Sequence, residues 1–218
     1  MPPSSATEGV LRVRETFVSL QGEGTAAGRP AFFVRLSGCN LSCRWCDTPE
    51  SRLPGSGTPL PVNEILERRR RSGLSEVLIT GGEPLLQEAV YTLMEALLAE
   101  GVRVYLETNG SLSLRRVPRE VIKIVDWKPP SSGMSNRMNP ENLLYLRYPD
   151  QIKFVIADEE DYLWAKREVL SRGLFRFVEV LFSPVWEEMP PEKLARLILA
   201  DRLPVRLQIQ LHKLLGLP

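Results

Sequence analysis

The sequence predicts an α/β protein built as an open, partial (β/α) barrel, and three observations support this prediction. Short apolar segments alternate with helical patterns along most of the chain. Gly, Asn, Ser and Lys residues follow those segments directly, as they do in the loops at the carboxyl ends of parallel strands. The chain has 218 residues, whereas a complete eightfold barrel typically needs about 250. We therefore expect a barrel that is truncated and does not close.

Two strands are predicted before the first helix. Residues 10–20 alternate loosely between apolar and polar side chains and then meet Q-G-E-G, which indicates a strand that ends in a turn. Residues 31–36 form a second apolar segment that only Arg35 interrupts. A connection rich in Pro, Gly and Ser follows over 49–61, and we expect it to be exposed and mobile.

The rest of the chain repeats a unit of one strand and one helix. Helices are predicted over 62–72 and 87–100 and around 161–170 and 192–200, and strands over 77–80, 102–106, 122–126, 152–156, 178–182 and 205–211. The first helix ends in E-R-R-R-R, which is typical of a solvated face, with a docking surface for an acidic electron donor as the alternative. We expect parallel β/α units in one domain over 1–218, with a partner subunit covering an open edge of the sheet.

Composition limits the partners that the protein can have. With 43% hydrophobic residues the chain can bury one sizeable core. Lys and Arg number 28 against 27 for Asp and Glu, so no overall charge attracts the protein to nucleic acid or to a membrane, and we expect a small substrate. Residues 1–9 lack the basic and apolar pattern of a targeting segment, and no apolar run is long enough to span a bilayer. We therefore expect a cytoplasmic protein.

Three cysteines lie too close together in the chain to cross-link a fold. Cys39, Cys43 and Cys46 occur in G-C-N-L-S-C-R-W-C-D-T over 38–48, here called the cysteine loop, and they are the only cysteines in the sequence. An odd number leaves one unpaired in any disulfide scheme, so metal ligation is favoured. A closed site normally takes four protein ligands, so three thiolates leave one metal ion open to a substrate or cofactor. An iron–sulfur site, a zinc site completed by His212 or water, and unligated thiols are the alternatives.

The spacing C-x3-C-x2-C, with Trp45 before the last cysteine, resembles the cluster loop of the radical S-adenosylmethionine (SAM) enzymes. G-G-E-P after the strand over 77–80 strengthens the resemblance, although by itself this motif is an ordinary turn. The resemblance implies a partial barrel of the radical SAM type and a 4Fe-4S cluster that the three cysteines hold, with SAM bound to its open iron. It also implies SAM contacts at successive strand ends, by residues that otherwise serve as turn formers or surface charges: Gly81, Gly82, Glu107, Asn109, Asp126, Trp127, Lys128 and Ser183.

Further motifs resemble one branch of that superfamily, the 7-carboxy-7-deazaguanine synthases. They are Q-G-E-G over 21–24, F-V-R-L-S-G-C-N-L over 33–41, C-D-T over 46–48 and P-P-S-S-G-M over 129–134. Two features depart from the branch. Asp126 and Trp127 stand where its members often have Ser-Pro, and 50–59 is a linker of no recognisable type.

The branch resemblance implies a radical ring contraction of 6-carboxy-5,6,7,8-tetrahydropterin to 7-carboxy-7-deazaguanine. One electron from a reduced flavodoxin or ferredoxin would cleave SAM, and the resulting 5′-deoxyadenosyl radical would take hydrogen from C6. The ring would then contract with loss of ammonia, and return of the hydrogen would regenerate SAM. The protein's part is to place the reactants and to exclude water. A homodimer is expected, and the product would serve queuosine or another 7-deazapurine.

The resemblance also implies the substrate and magnesium contacts. Arg35 would bind the substrate carboxylate with its guanidinium fork, although a lone Arg in an apolar strand is also typical of a solvent-facing strand end. Pro218 would meet the pterin through a free carboxylate that accepts hydrogen bonds, with a packed tail as the alternative. Thr48 would bind Mg²⁺, with an N-cap role as the alternative. His212 is expected nearby in a structural role. The pterin edge would be bound by Leu20, Gln21, Gly22, Glu23 and Thr80.

Two other functions are kept as alternatives. A glycyl-radical-activating enzyme shares the three-cysteine loop and the small size but acts on a protein, and Q-G-E-G and the terminal H-K-L-L-G-L-P argue against it. A zinc-binding interaction module is the non-enzymatic alternative. An anaerobic preparation of that module would be colourless, whereas either enzyme would be brown.

Overall fold

The computed structural model describes residues 9–218, and these form one mixed sheet with α-helices packed against it. The prediction that the first residues carry no targeting segment concerns mainly residues 1–8, which lie outside the described part of the chain. Among the helices over 9–218, none combines the length and the apolar character that a membrane-spanning helix needs.

The described chain contains nine strands in a single sheet. They are β1 (Val10–Leu20), β2 (Pro30–Leu36), β3 (Thr58–Pro61), β4 (Glu76–Gly81), β5 (Arg103–Thr108), β6 (Ile122–Asp126), β7 (Gln151–Ile156), β8 (Glu179–Pro184) and β9 (Arg206–Leu207). Their order is β3-β1-β2-β4-β5-β6-β7-β8-β9, in which β1 is antiparallel to β2 and β3 and every later pair is parallel. Because β3 and β9 are the two edges and do not pair with each other, the sheet stays open, and the predicted open, partial barrel is confirmed.

Five α-helices lie between or after the strands of the described chain. They are α1 (Val62–Ser72), α2 (Ala89–Ala99), α3 (Glu159–Arg172), α4 (Pro191–Asp201) and α5 (Leu211–Leu215). The first four confirm the predicted helices to within two residues. Local signals explain their ends: the Asp158 side chain accepts the backbone N–H of Asp161 at 2.8 Å where α3 begins, and α1 stops at Gly73, which has the left-handed φ of 71° that glycine adopts without strain.

Alternate residues of the strands face two different apolar clusters. Ile79 and Leu106 belong to the larger cluster, which also contains the buried faces of the helices. Leu78 and Tyr105 point to the other face of the sheet and pack with Phe33. The helices therefore cover one face, and the opposite face is left to line a cavity at the carboxyl ends of the strands.

The connection over 49–61 corrects one prediction. It is not simply an exposed linker, because Thr58–Pro61 forms β3 and pairs with β1, while Ser51 and Leu60 are buried. The sequence T-P-L-P did not predict this strand, since proline normally argues against a β-strand. An edge strand tolerates proline because one side of its backbone has no partner to bond.

The last predicted strand is also corrected. Residues 205–211 were expected to be one strand, but only Arg206–Leu207 pairs with β8, and a short helix follows. The chain leaves the sheet because its next residues bond to the Q-G-E-G turn: the backbone N–H of Leu211 donates to the carbonyl of Gly22 at 2.9 Å.

The arginine run at the end of α1 is only partly a solvated face. Arg69 and Arg70 both pair with Glu100, which follows α2. Arg68 pairs with Glu64 one turn earlier at 2.6 Å. Arg69 and Arg70 therefore join α1 to the end of α2, and Arg70 and Arg71 are the exposed members of the run.

Candidate active site

A cavity of 480 Å³ lies at the carboxyl ends of the parallel strands. The predicted site residues that line it are Leu20, Gly22, Glu23, Arg35, Cys39, Cys43, Cys46, Thr48, Thr80, Gly81, Gly82, Glu107, Asn109, Asp126, Lys128 and Pro218. These residues span almost the whole sequence, so the fold brings them to one place.

Three predicted site residues do not line this cavity. Gln21 is buried, and its amide donates to Glu76 Oε2 at 3.0 Å, at the amino end of β4. Trp127 packs in the larger apolar cluster. Ser183 is fully buried in β8, and its Oγ has no hydrogen-bond partner within the described residues.

The cysteine loop follows β2 directly and places three partly buried, free thiols at the cavity. Burial raises the pKa of the Cys43 thiol, and the ammonium of Lys128 only partly offsets this effect. Burial likewise raises the pKa of the Cys46 thiol, against a backbone hydrogen bond at Thr48. Burial therefore disfavours the thiolate form of Cys43 and Cys46, and the positive charge of a metal would stabilise it.

The spacing of the sulfur atoms favours one of the metal alternatives. Within residues 9–218, the one set of three candidate ligands whose donor atoms all lie within 4.8 Å of one another is Glu23, Asp47 and His212. The three cysteines do not form such a set, whereas one tetrahedral zinc ion would bring its sulfur ligands to about 3.8 Å from each other. The sulfurs thus fit separate iron ions of a cluster better than one zinc ion. His212, the predicted fourth zinc ligand, lies near the carboxylates of Glu23 and Asp47 and is not grouped with the cysteines.

Close packing of the backbone requires glycine at positions 81 and 82, independently of any ligand. Gly81 has a φ of 130°, and a Cβ there would collide with the backbone of Leu36. A Cβ on Gly82 would collide with the carbonyl oxygen of Gly38. The glycine pair therefore allows the end of β4 to lie against the start of the cysteine loop.

Glu83, the acidic residue of G-G-E-P, is a connection that the sequence did not reveal. Its fully buried carboxylate accepts the backbone N–H of Leu85 at 3.0 Å and of Asn109 at 2.8 Å, and the hydroxyl of Thr108 at 2.8 Å. Burial raises the pKa of Glu83, and these hydrogen bonds oppose that rise. Glu83 thus fixes the loop after β4 to the loop after β5.

A buried network of charges lies along the cavity wall. Lys153 in β7 is 4% exposed and pairs with Glu23, with Glu107 at 2.7 Å and with Asp126 at 3.7 Å. Lys128 pairs with Asp126 at 2.8 Å. Burial lowers the pKa of Lys153, but the three carboxylates outweigh it and hold the pKa well above its usual value.

The same network keeps Asp126 ionised. Burial acts to raise the pKa of Asp126, but Lys128 and Lys153 prevail and lower it. Its Oδ1 is buried and has no hydrogen-bond partner within the described residues. Sequence reasoning missed Lys153, and the available signal was a single lysine inside the apolar strand Q-I-K-F-V-I.

Arg35 carries a guanidinium that the protein leaves largely unpaired. It lies over the ring of Phe17, 5.3 Å from the centroid, and its Nε is 3.3 Å from Glu15 Oε1 without the alignment of a hydrogen bond. No side-chain hydrogen bond from Arg35 occurs within residues 9–218. A free fork on a cavity wall is suited to a carboxylate ligand.

The Q-G-E-G turn is held by glutamines near the end of the chain. Gln208 accepts the backbone N–H of Gly24 at 2.8 Å, and Gln210 donates to Glu23 Oε1 at 2.6 Å. The ring of His212 lies against Gly22, where a Cβ would collide with it. The sequence signal for these contacts was Q-I-Q, which alternates polar and apolar residues after the last strand. Pro218 completes this part of the cavity wall.

Thr48 lies at the N-cap position of a short 3₁₀ helix, but its side chain makes no capping hydrogen bond. The alternative of an N-cap role is therefore not supported. Thr48 lines the cavity beside Asp47.

Comparisons with known proteins agree with this geometry. A family model described as the Radical SAM superfamily matches residues 33–127. The 7-carboxy-7-deazaguanine synthase of Chlorobaculum tepidum is 42% identical over 216 residues, which cover 98% of this chain and 97% of that protein. The protein of the same name from Koribacter versatilis is 41% identical over 225 residues, which cover 95% of this chain and 98% of that protein.

A solved structure agrees in fold. The crystal structure of QueE from Escherichia coli matches with a TM-score of 0.73 at 23% identity, over 93% of this chain and 95% of that one. Similarity of sequence over nearly the full length, together with this fold, establishes the family. The chain belongs to the 7-carboxy-7-deazaguanine synthase family within the radical SAM superfamily.

Proposed function

We propose that this chain converts 6-carboxy-5,6,7,8-tetrahydropterin to 7-carboxy-7-deazaguanine with loss of ammonia, using SAM catalytically. The observation that carries the proposal is the single cavity wall on which three free thiols, the unpaired fork of Arg35 and the charge network of Lys153 meet. Relatives that match nearly the whole chain bear the name 7-carboxy-7-deazaguanine synthase.

The radical SAM family uses a 4Fe-4S cluster and SAM. When bound, these two groups supply the one-electron chemistry that starts the reaction. We propose that Cys39, Cys43 and Cys46 each hold one iron and leave the fourth iron to SAM, because three thiolates satisfy three irons. The three sulfurs do not all lie within 4.8 Å of one another, which supports this assignment over a zinc module.

We assign SAM to the predicted residues at the strand ends that line the cavity. They are Gly81, Gly82, Glu107, Asp126 and Lys128, with Asn109 beside them on the cavity wall. Asp126 supports the assignment most strongly, because it lines the cavity and its Oδ1 has no hydrogen-bond partner within the described residues. Trp127 and Ser183 offer no surface to the cavity, so we do not propose them as direct SAM contacts.

We assign the substrate to the wall formed by the Q-G-E-G turn, β2 and the last residues. Arg35 binds the carboxylate of the pterin with its free fork. The carboxylate of Glu23 and the hydroxyl of Thr80 meet the amino and ring N–H groups of the heterocycle, together with the backbone of Leu20 and Gly22. Gln21 does not take part directly, because its backbone N–H and C=O are bonded to Arg29 and Gly28 within the turn. Pro218 lies on the same wall and contacts the substrate there.

We propose a magnesium ion bound through Thr48. Mg²⁺ prefers oxygen ligands, keeps several waters and takes few protein ligands. The Thr48 hydroxyl makes no capping bond, and the carboxylates of Asp47 and Glu23 lie close together at the same part of the cavity. We expect chelation to abolish turnover and added Mg²⁺ to restore it. Full activity after exhaustive chelation would remove the ion from the proposal.

Two partners complete the proposal. The family needs a reductant, and we propose a reduced flavodoxin or ferredoxin in that role. We also propose a homodimer that protects an edge of the open sheet, whose β9 has only two residues. Sedimentation of the purified protein tests the dimer, and a single species at 24.7 kDa would exclude it.

Turnover by the reconstituted protein tests the proposed function. The protein is loaded with iron and sulfide under anaerobic conditions and incubated with SAM, dithionite and the carboxy-tetrahydropterin. We expect the mass of 7-carboxy-7-deazaguanine in the wild-type reaction and its absence with Cys43→Ala. A Cys43→Ala variant that still cleaves SAM would refute the cluster assignment. No observation favours a glycyl-radical-activating enzyme, so no second function is proposed.

A further inference from the structure

A closed ring of hydrogen bonds joins the cysteine loop to the loop after β5. Asn109 Nδ2 donates to Asn40 Oδ1 at 3.0 Å, Asn40 Nδ2 donates to Ser111 Oγ at 2.8 Å, and Ser111 Oγ donates to Asn109 Oδ1 at 2.6 Å. We call these three side chains the amide ring. Hydrogen bonds that close on themselves polarise one another, which makes such a ring a rigid connection.

The orientation of the Asn109 amide follows from its partners. The backbone N–H of Ser111 donates to Asn109 Oδ1 at 3.0 Å, and a backbone N–H can only donate. The oxygen must therefore face Ser111, and the NH₂ group must face the other way. There it lies 3.7 Å from Cys39 Sγ. The backbone of Asn109 is held as well, by the carboxylate of Glu83.

This contact distinguishes Cys39 from the other two cysteines. Within residues 9–218, Cys39 is the one cysteine whose sulfur receives a side-chain amide N–H. It also receives the backbone N–H of Leu41 at 3.5 Å. Donors aimed at a ligating sulfur stabilise the more negative, reduced form of an iron–sulfur cluster and so raise its reduction potential.

We propose that Asn109 is a positioning residue for the cluster: its amide holds Cys39 Sγ and raises the reduction potential of the cluster that the three cysteines bind. The amide ring fixes the amide in that direction, and Glu83 fixes the backbone that carries it. This inference rests on the proposed function in one respect, since it requires the cysteines to hold the cluster.

The variant Asn109→Asp tests the proposal. Aspartate has nearly the same size and keeps an oxygen for Ser111, but it puts a carboxylate oxygen where the amide donated to Cys39. We expect the equilibrium constant for one-electron reduction of the cluster to fall at least tenfold, which is about 59 mV. The measurement is electron paramagnetic resonance of the reconstituted protein at fixed potentials, without SAM or substrate.

Asn142→Asp is the matched control. Asn142 is fully buried, and its amide donates to the carbonyls of Gly110 at 3.0 Å and Leu112 at 2.8 Å, in the same loop but with no cysteine contact. The same chemical change there should lower stability and leave the reduction equilibrium within about twofold of the wild type. An equal shift in both variants would mean that the loop as a whole, rather than the amide at the sulfur, sets the potential, and would overturn the proposal.

A second variant covers the case in which Asn109→Asp holds no iron. Ser111→Ala opens the amide ring but keeps the backbone N–H that orients Asn109, so we expect a smaller fall in the same direction. Wild-type potentials in either iron-loaded variant would overturn the proposal. Failure of the proposed function is visible separately, because a wild-type protein that binds no cluster or makes no deazaguanine fails before any variant is compared.

Discussion

Charged side chains are buried at both ends of the sheet, but the two ends differ in how completely those side chains are hydrogen-bonded. At the amino end, Glu76 accepts hydrogen bonds from Arg29 and Arg103 on one oxygen and from Gln21 on the other. At the start of β6, Lys123 pairs with Asp150 at 3.2 Å, and both oxygens of Asp150 accept backbone N–H groups. The carboxylates of this end are fully hydrogen-bonded.

The carboxyl end leaves polar atoms unpaired around a cavity. Lys153 holds three carboxylates there, yet Oδ1 of Asp126 has no partner and the fork of Arg35 is free within the described chain. Buried polar groups are normally satisfied, so unpaired ones beside a cavity indicate a ligand. The comparison therefore separates carboxylates that are fully hydrogen-bonded within the protein from charged groups that we assign to cofactor and substrate.

The largest expected effect comes from removing Lys153. Lys153→Met leaves the carboxylates of Glu23, Glu107 and Asp126 near one another without their common cation, which displaces groups that face both ligands. We expect kcat/KM for the pterin to fall roughly 100-fold or more. Steady-state product formation measures it, on protein with wild-type iron content. Near wild-type turnover would show that the network is only structural.

Arg35→Lys comes second, with Arg29→Lys as its matched control. Lysine cannot reproduce a bidentate fork, so we expect the KM for the carboxy-pterin to rise about tenfold to 100-fold while SAM affinity stays unchanged. Arg29, which pairs with Glu76 at the other end, should tolerate the same exchange with no kinetic effect. Equal loss of SAM and pterin binding in Arg35→Lys would return this arginine to a structural role.

Lys123→Met should lower the stability of the protein and leave turnover unchanged, whereas Lys153→Met should lower turnover. The variant leaves Asp150 buried without its ion pair, and breaking such a pair costs about 3 kcal/mol of unfolding free energy. Urea unfolding of the cluster-free protein measures the loss. Turnover per folded, iron-loaded molecule should be unchanged, and a specific loss of turnover would break the comparison between the two ends.

These two lysines also show how far the sequence could predict the site. Lys123 and Lys153 occur in I-K-I-V and I-K-F-V, so neither residue type nor neighbours distinguish them. The register does: Lys153 lies beside Asp126 at the carboxyl end of β6, whereas Lys123 lies beside Leu106. The register between strands that are distant in the sequence depends on the tertiary structure, so it could not be predicted from a single sequence.

The fold and the cysteine loop were predictable for physical reasons. The parallel strands are short apolar segments, and their alternation with helices carries the signal. Three cysteines within one loop favoured a metal with an open position. In contrast, β3 was hidden by its prolines, and Gln208 and Gln210 contact Q-G-E-G only because the chain leaves the sheet after β9.

The smallest expected effect is a difference in pH dependence between Asp126 and Asp150. Lys128 and Lys153 lower the pKa of Asp126, so its contribution to stability is present above the ordinary value of about 3.9 and is lost as the pH falls through the lowered one. Burial raises the pKa of Asp150, so its ionisation reduces stability as the pH rises from about 3.9 through the raised value.

Asn variants at these two positions measure the difference, since Asn resembles a carboxyl group that cannot ionise. Between about pH 2.5 and pH 6, the stability of the wild type relative to Asp126→Asn should rise, and relative to Asp150→Asn it should fall. Urea unfolding of the cluster-free protein at each pH provides the data. Slopes of the same sign would contradict the contrast between the two ends.

The catalytic use of SAM at the carboxyl end is tested most directly by counting product. Reconstituted wild-type protein is given the carboxy-tetrahydropterin with one tenth as much SAM and excess dithionite, and the deazaguanine and ammonia are quantified by mass and by an ammonia assay. We expect one ammonia for each 7-carboxy-7-deazaguanine and a yield well above the SAM supplied. No deazaguanine, or a yield that never exceeds the SAM, would contradict the account.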